Sequence, residues 1–401
     1  MKEAYIYDAV RTPRGKGKPG GALYEVKPVD LLAAVLKALR ERCAFDTALV
    51  GDAIIGCVTA VQEQGFNVGK AALAHAGWHP NVGALQINRY CASGLEAVNL
   101  ASLKIMHGSD TLMVAGGVES MSRVPMGSEG GAFLYDPEII QGSGYIPQGV
   151  SADLIATMED FSREMLDAYA LQSQQRAAAA QQNGWFDRSL VPIFDKNGLP
   201  VLEKDENIRP ELNPGMLAAM PPVFGKIGGM GFYEMALKKY PAVEKIQHRH
   251  TAATSSGLAD GAAAVLLGDK AAGEILELRP RAKVHSFAAV GSELTIMLTG
   301  PTPAAKKALQ QAGMTPADID LWEMNEAFAS PVLKFQKDLG IPDDKINVNG
   351  GAIALGHPLG ATGAMLLGIL LDELERRDLR TGLVTLCAGG GMAVTTIIER
   401  T

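Results

Sequence analysis

Cys91 is the first candidate for chemistry. It stands between a predicted strand and a predicted helix whose first turn consists of small residues, in the segment Asn88-Arg-Tyr-Cys-Ala-Ser-Gly. A thiol at that place faces the unsatisfied N–H groups and the positive end of the helix, which favour the thiolate. Cysteine is also a small apolar residue that packs well in protein interiors. The local segment therefore supports a nucleophile and a packing residue about equally.

His357 is the second candidate, and it lies in the glycine-rich segment Asn349-Gly-Gly-Ala-Ile-Ala-Leu-Gly-His-Pro-Leu-Gly. Glycines and a proline hold a tight loop, and Pro358 disfavours helix at His357 itself. Such a loop presents an imidazole at a cleft, where a side chain with an ordinary pKa of about 6.5 takes a proton from a thiol. The other histidines have no comparable setting, and we expect them to be surface or packing residues.

Cys387 and Asn325 are two more polar residues at the ends of apolar strands. Cys387 opens the segment Cys-Ala-Gly-Gly-Gly-Met, whose glycines allow backbone N–H groups to point at one ligand oxygen and stabilise an anion. Asn325 lies in Trp-Glu-Met-Asn-Glu-Ala-Phe, where its amide is able to orient a water or a carbonyl. No G-x-G-x-x-G segment opens a helix, so a dinucleotide-binding fold is not indicated.

The elements that must position these residues alternate between strands and helices, which indicates parallel strands joined by helices. Landmarks of the first half return in the second about 260 to 275 residues later, which indicates an ancient duplication. Between the halves, from about 120 to 250, Gly, Pro, Met and Gln are frequent, and we predict an inserted loop domain there. The predicted helices cover 29–40, 93–107, 163–182, 303–312 and 361–377, and predicted strands in the second half cover 282–291 and 345–351 together with a closing pair from 382 onward.

Composition excludes several classes of protein. Glycine accounts for 45 of 401 residues, about 11% against roughly 7% in ordinary proteins, so many positions require positive φ or close backbone approach. The formal net charge of −7 argues against nucleic acid as a partner. Four cysteines without a CxxC pair favour neither a disulfide scaffold nor a metal site, and we expect a reducing, cytoplasmic location. The N-terminus reads directly as a strand, and no apolar run is long enough for a membrane span.

Four segments together resemble the thiolase family, and the resemblance covers essentially the whole chain. They are Cys-x-Ser-Gly at Cys91, Asn-Glu-Ala-Phe at Asn325, Gly-His-Pro-x-Gly at His357 and Cys-x-Gly-Gly-Gly at Cys387, in the family's order and at its approximate spacing. The resemblance implies an α/β fold with two βαβαβαββ halves in a five-layered αβαβα arrangement. The N-terminal half would comprise 1–119 and 251–279, the loop domain covering the active site 120–250, and the C-terminal half 280–401.

The resemblance also implies a role for each candidate. Cys91 would attack the carbonyl of a 3-oxoacyl-CoA, or of acetyl-CoA in the reverse direction, and form an acyl-enzyme in a ping-pong reaction. His357, partnered by a water held by Asn325, would activate Cys91 and help to bind the thioester oxygen. Cys387 would move the proton to or from the α-carbon of acetyl-CoA, or deprotonate the CoA thiol. The backbone N–H groups of Cys91 and Gly389 would form the second oxyanion site.

For the co-substrate coenzyme A, the resemblance assigns the pantetheine contact to Ser256 and further contacts to Ala327 and Phe328. This chain departs from the family's pattern nearby, because it carries Thr254 and Ala259 where members commonly carry Asn. No permanently bound cofactor is implied. Since family members are dimers or tetramers, the expected partners are acyl-CoA, CoA and further copies of the chain in a homodimer or homotetramer.

Two further segments could reach the nucleotide of CoA. Arg209 aligns with a common Asp-Glu-x-x-Arg element, and the sequence leaves open whether it contacts phosphate. The segment 225–247 resembles an insertion relative to shorter family members. Its lysines could meet the CoA phosphates, although a solvated helix face is the favoured interpretation: Lys226, Lys238, Lys239 and Lys245.

The segment Tyr145-Ile-Pro-Gln-Gly bears on the choice of substrate. Short-chain acetoacetyl-CoA thiolases usually carry His-Met-Gly here, whereas broader degradative members often carry Ile-Pro-Met-Gly, and Gln148 replaces that Met. We therefore favour thiolytic cleavage of a medium, long or bulky 3-oxoacyl-CoA, with a biosynthetic acetyl-CoA acetyltransferase as the alternative. Cys387 argues against a ketoacyl synthase. A non-catalytic acyl-CoA-binding protein would have no reason to keep both cysteines and His357.

Overall fold

Residues 2–401, which the computed structural model describes, form twelve strands. Most lie in one large sheet, and a short hairpin stands apart from it. The strands are β1 (Tyr5–Arg11), β2 (Gly15–Lys16), β3 (Asp52–Gly56), β4 (Gly83–Ile87), β5 (Leu112–Ser120), β6 (Ile193–Phe194), β7 (Pro200–Leu202), β8 (Ala259–Gly268), β9 (Ala282–Gly291), β10 (Leu321–Met324), β11 (Thr381–Ala388) and β12 (Met392–Arg400).

Fifteen α-helical segments connect and cover these strands within the same residues. The helices predicted over 93–107 and 163–182 are confirmed at both ends. The segments are α1 (Pro28–Cys43), α2 (Val68–His75), α3 (Ser93–His107), α4 (Ala132–Tyr135), α5 (Pro137–Ser143), α6 (Gln148–Met158), α7 (Arg163–Gln182), α8 (Pro214–Ala218), α9 (Gly225–Ile227), α10 (Tyr233–Lys239), α11 (Lys270–Leu276), α12 (Pro301–Ala312), α13 (Ala329–Leu339), α14 (Ala352–Leu355) and α15 (Leu359–Arg376).

The large sheet has the strand order β10-β11-β12-β9-β1-β8-β5-β3-β4, and β2 pairs with β8. In the first half β3 runs parallel to both β4 and β5, and in the second half β10 runs parallel to β11. The halves meet where β1 pairs with β9 through Tyr5 with Lys283 and Ile6 with Ala282. The order β1-β8-β5-β3 in one half therefore corresponds to β9-β12-β11-β10 in the other, as a duplicated unit requires.

Packing of the helices on this sheet produces five layers. Helices α3 and α15 form the central layer, because their apolar side chains join those of strands from both halves in one core cluster. Helices α1 and α2 cover the outer face of the first half, and α12 and α13 cover that of the second. Strands β5 and β8 are buried along their whole length, as strands covered on both faces are. The predicted αβαβα arrangement is confirmed.

The predicted strand at 345–351 is wrong. Only Ile346 makes a strand-like bridge, to Trp322, and the chain then turns at Asn347, whose φ is +46°. The Asn347 side chain takes over the pairing with Met324, since its Oδ1 accepts from the Met324 N–H at 2.9 Å and its Nδ2 donates to the Met324 carbonyl at 2.9 Å. A side-chain amide thus replaces the backbone ladder that the apolar pattern predicted.

The segment between β5 and β8 carries helices α4 to α10 and the β6–β7 hairpin. Part of it packs around an apolar cluster that includes Ile146, Val150, Phe328 and Cys387, so this segment reaches the ends of the C-terminal strands. Among residues 2–401, no helix is long and apolar enough to cross a membrane.

Candidate active site

Cys91 lies two residues before the first residue of α3, and only 5% of its surface is exposed. Burial raises the pKa of its thiol to about 11, while hydrogen bonds from the backbone N–H groups of Gly389 and of Cys91 itself, and from the Gln148 side chain, act in the opposite direction. The two N–H groups that the resemblance assigns to the oxyanion site therefore both lower the pKa of the Cys91 thiol. A neutral thiol beside an anion-stabilising pair of donors is ready to become a covalent nucleophile.

Close backbone contact brings the starts of α3 and α15 together. A Cβ on Gly94, in the first turn of α3, would lie 2.7 Å from the carbonyl oxygen of Gly360, and one on Gly117 in β5 would overlap the same oxygen. Only glycine permits this approach. Because Cys91 immediately precedes α3 and His357 immediately precedes α15, the contact places the predicted nucleophile and the predicted base at one site.

His357 is buried and held in one tautomer. The Thr362 hydroxyl donates to the Pro358 carbonyl at 2.8 Å, so Thr362 Oγ1 is the acceptor for His357 Nδ1–H at 2.7 Å. The free lone pair of the imidazole is then on Nε2, which lies 3.2 Å from Asn325 Nδ2. Burial, and next the positive charge of Arg14, lower the pKa of His357 to about 3. The ring is consequently a neutral base with its lone pair directed toward Asn325.

Cys387 is the next-to-last residue of β11, close to the hairpin that joins β11 to β12. Its side chain is fully buried, and burial followed by the nearby Cys91 raises the pKa of the Cys387 thiol well above its ordinary value. The hairpin turns through Gly390 and Gly391, which have φ of +71° and +66°. These positive values favour glycine, and the N–H of the adjoining Gly389 lowers the pKa of the Cys91 thiol.

The three residues predicted to bind CoA lie together. The Ser256 N–H donates to the Ala327 carbonyl at 2.9 Å, and Ser255 forms a strand-like bridge with Phe328. The same loop reaches His357, because the His357 N–H donates to the Gly257 carbonyl at 2.9 Å. The arrangement forms one wall of the site, next to His357.

Arg209 is tied to the loop segment through its backbone, whose N–H donates to Gln174 at 2.7 Å. The inserted segment 225–247 forms α9, a π-helical turn at Gly228–Phe232 and α10. All four of its lysines are solvent-exposed. Their contact with CoA phosphates stays a prediction.

The sequence did not indicate two charged residues that lie at this site, Glu119 and Arg14. The Glu119 carboxylate accepts hydrogen bonds from Val58 N–H at 2.9 Å, Thr59 N–H at 3.1 Å, Gln64 Nε2 at 2.8 Å and Gly360 N–H at 2.9 Å. It thereby ties the loop after β3 to the start of α15. A carboxylate directly after the apolar run Val-Ala-Gly-Gly-Val was the only signal for it.

Arg14 is the second charged residue that the sequence did not indicate. Its guanidinium is fully buried, and Nη1 donates to the Gly356 carbonyl at 3.2 Å, just before His357. The neighbouring Arg11 forms a buried ion pair with Asp205 at 2.8 Å, and Asp205 also accepts from the Arg14 N–H. Arg14 therefore contacts the histidine loop and adds a positive charge that, after burial, lowers the pKa of His357.

Comparison with known proteins agrees with this fold. The thiolase N-terminal domain family matches residues 4–231, and the thiolase C-terminal domain family matches residues 278–400. The chain belongs to the thiolase family. It is 41% identical to 3-ketoacyl-CoA thiolase FadA of Escherichia coli and 40% identical to the 3-ketoacyl-CoA thiolase of Cronobacter sakazakii, in both cases over 100% of each chain. Human mitochondrial 3-ketoacyl-CoA thiolase superposes with a TM-score of 0.86 at 32% identity, over 100% of this chain and 99% of that one.

Proposed function

We propose that the protein cleaves a 3-oxoacyl-CoA with CoA, giving acetyl-CoA and an acyl-CoA shortened by two carbons. The observation that carries this proposal is the grouping of Cys91 with a neutral buried imidazole and a second buried thiol, where the backbone N–H groups of Gly389 and Cys91 act to lower the pKa of the Cys91 thiol. The activity in the names of its full-length relatives, 3-ketoacyl-CoA thiolase, supports the same reaction.

In the first half-reaction, Cys91 attacks C3 of the substrate and its proton passes to Nε2 of His357. A thiol with a pKa near 11 and an imidazole with a pKa near 3 do not form an ion pair at rest, so the proton moves as the carbon–sulfur bond forms. The charge that develops on the C3 oxygen is stabilised by the N–H groups of Cys91 and Gly389.

Collapse of this tetrahedral intermediate breaks the C2–C3 bond and leaves the electron pair on the acetyl-CoA enolate. His357, now protonated at Nε2, and the Asn325 amide are then two adjacent donors for the enolate oxygen. Cys387 gives its proton to C2, and acetyl-CoA departs, leaving an acyl thioester on Cys91.

In the second half-reaction, the Cys387 thiolate takes the proton of the incoming CoA thiol. The CoA sulfur attacks the acyl-Cys91 carbonyl, the same two N–H groups stabilise the oxyanion, and Cys91 recovers its proton from His357. Ser256, Ala327 and Phe328 hold the pantetheine arm in both halves, so CoA enters and leaves as a co-substrate along the wall next to His357.

Two measurements test the reaction. Incubation with hexanoyl-CoA should add one acyl group to the protein, and peptide mapping by mass spectrometry should place it on Cys91. Thiolysis rates should favour 3-oxohexadecanoyl-CoA or other long 3-oxoacyl-CoAs over acetoacetyl-CoA. An unmodified Cys91 would refute the mechanism, and efficient cleavage of acetoacetyl-CoA alone would favour the biosynthetic acetyltransferase.

We also infer that two copies of the chain associate through β4. This strand ends the sheet and has one unpaired edge. On the same strand Leu85 is 46% exposed, and Phe66, in the loop before α2, is fully exposed with a φ of +53°. An open strand edge with exposed apolar side chains is a site for pairing with another strand. Sedimentation equilibrium should show a dimer or tetramer that Leu85→Asp dissociates and the control Ile275→Asp, on α11, leaves intact.

The cysteines suit a reducing compartment, for which the cytoplasm is the proposed location. All four are free thiols, and free thiols persist where the compartment is reducing. Fluorescent tagging in cells followed by fractionation tests this location.

A further inference from the structure

A cavity of about 670 Å³ lies in the loop segment, between the α4–α5 stretch and the inserted segment. Leu134 and Ile140 line one side, and Met230, Phe232 and Met235 line the other. This volume falls within the range of about 300–1,000 Å³ that accommodates a drug-sized organic ligand. The cavity is thus large enough for much more than the two carbons of an acetyl group.

The inner end of the cavity reaches the catalytic turn. Gly144 borders the cavity, and the next residue, Tyr145, stacks on Phe133 with ring centroids 4.9 Å apart. Phe133 in turn lies against the glycine turn, since a Cβ on Gly390 would stand 3.8 Å from its ring. The stacked Phe133–Tyr145 pair therefore connects the cavity lining at Gly144 to the glycine turn, where Tyr90 also packs.

The outer wall is fixed to the protein, although the sequence presents it as a solvated insertion. Tyr233 donates to the Phe224 carbonyl at 3.2 Å, and Tyr240 donates to Glu293 at 2.6 Å. Phe232 and Met235 pack on the apolar cluster that contains Cys387. The inserted segment therefore extends the apolar surroundings of a reacting thiol outward into the cavity.

The lining combines exposed apolar side chains with the polar side chains of Gln141, Ser143, Lys238, Lys239 and Thr295. Met230 is 73% exposed and Leu134 is 47% exposed, and such a group of uncovered apolar side chains around one cavity marks a ligand site. Among residues 2–401, the cavity lining includes no residue of the two segments that contain the predicted CoA contacts, 251–258 and 325–328. The cavity is thus separate from the segments that are predicted to hold CoA.

Resting on the proposed thiolase function, we propose that this cavity holds the distal part of a large apolar acyl group and that Met230 and Met235 set the size of acyl group accepted. The acyl carbons nearest the thioester lie beside the Phe133–Tyr145 pair, and those farther along lie between Leu134 and the inserted segment. The expected occupant is a large hydrocarbon group, either a long straight chain or a chain that carries a ring.

The test measures thiolytic kcat/KM for acetoacetyl-CoA, 3-oxohexadecanoyl-CoA and a 3-oxoacyl-CoA that ends in a cyclohexyl ring. Met235→Trp fills the cavity from its wall, and Met230→Trp does so from an exposed position where folding is not at risk. Each should lower kcat/KM about tenfold or more for whichever large substrate the wild type prefers, while the value for acetoacetyl-CoA changes less than about twofold. Glu234→Trp, an exposed position on the same helix outside the lining, is the matched control and should change neither.

Several outcomes overturn the proposal. Unchanged selectivity in both variants, with normal wild-type turnover, would mean that the acyl group lies elsewhere. An equal loss for all substrates together with a higher KM for CoA would assign the cavity and its neighbouring lysines to the CoA nucleotide. Failure of the underlying thiolase function is recognised separately, because the wild type would then cleave none of the three substrates and Cys91 would stay unacylated.

Discussion

Helices α3 and α15 occupy equivalent places in the two halves, yet their first turns carry different chemistry. Cys91 precedes α3 and presents a thiol, whereas His357 precedes α15 and presents an imidazole. Both residues are buried, but burial acts on them in opposite directions: it raises the pKa of the thiol to about 11 and lowers that of the imidazole to about 3. In each case the neutral form is favoured.

The ends of β5 and β11 differ in the same way. In the first half Glu119 accepts four N–H groups and fixes two loops, whereas in the second half Cys387 and Gly389 face the reacting sulfur. The two halves therefore share one scaffold but carry different residues at its equivalent positions. In the proposed mechanism the first half holds the nucleophile and the Glu119 anchor, and the second holds the base, the proton carrier and an oxyanion donor.

The largest effect should come from removing the nucleophile of the first half. Cys91→Ala eliminates the atom that forms the acyl-enzyme, so thiolysis should fall by about 10⁴-fold or more. Steady-state kinetics with a long 3-oxoacyl-CoA measures this loss. Residual turnover within a hundredfold of the wild type would mean that another residue, such as Cys387, is acylated.

Removing the proton carrier of the second half should separate two steps that share Cys91. Cys387→Ala should slow carbon–carbon cleavage by about 10²- to 10⁴-fold, the usual contribution of a positioned proton donor, while acylation of Cys91 by hexanoyl-CoA falls less than about tenfold. Single-turnover thiolysis and intact-mass measurements follow the two steps. Equal losses in both would contradict the division of roles between the cysteines.

Glu119 tests the anchor of the first half. In Glu119→Gln one carboxylate oxygen becomes an NH₂ group, so the N–H donors that faced this oxygen lose their acceptor. This loss should cost about 2–3 kcal/mol in the free energy of unfolding. Urea denaturation followed by circular dichroism measures this change. The exposed Glu138→Gln, the matched control, should shift stability by less than about 0.5 kcal/mol, and a similarly small effect at Glu119 would remove its anchoring role.

The sequence predicted most of what local pattern controls. The boundaries of α3 and α7 follow from periodicity and capping, and the four motifs pointed to Cys91, His357, Cys387 and Asn325. Glu119 and Arg14 escaped prediction because their partners lie more than 100 positions away in the chain, at Gly360 and Gly356. The failed strand at 345–351 has a similar cause, since a side-chain amide that competes with backbone pairing leaves no trace in an apolar pattern.

His357 predicts a pH dependence of stability with a definite sign. In the unfolded chain its pKa is about 6.5, and in the folded protein it is about 3, so below pH 6.5 the unfolded state binds a proton that the folded state does not. Stability therefore decreases as pH falls through this window, by up to about 1.4 kcal/mol per pH unit from this one group. Urea denaturation at pH 7, 6 and 5 should show a shallower decrease in His357→Gln than in the wild type. Parallel curves would mean that His357 is protonated in the folded protein.

The smallest effects should come from the two cysteines outside the site. Burial raises the pKa of Cys43 to about 12 and that of Cys57 further, and both lie in the core cluster beneath α1 and α2 with no donor comparable to the Gly389 N–H. A buried thiol without stabilising donors is an apolar packing residue. Cys43→Ala and Cys57→Ala should therefore leave kcat within about twofold and cost about 1 kcal/mol of stability each. A large loss of kcat with an unchanged unfolding midpoint would show that burial alone does not separate the reactive cysteines from the structural ones.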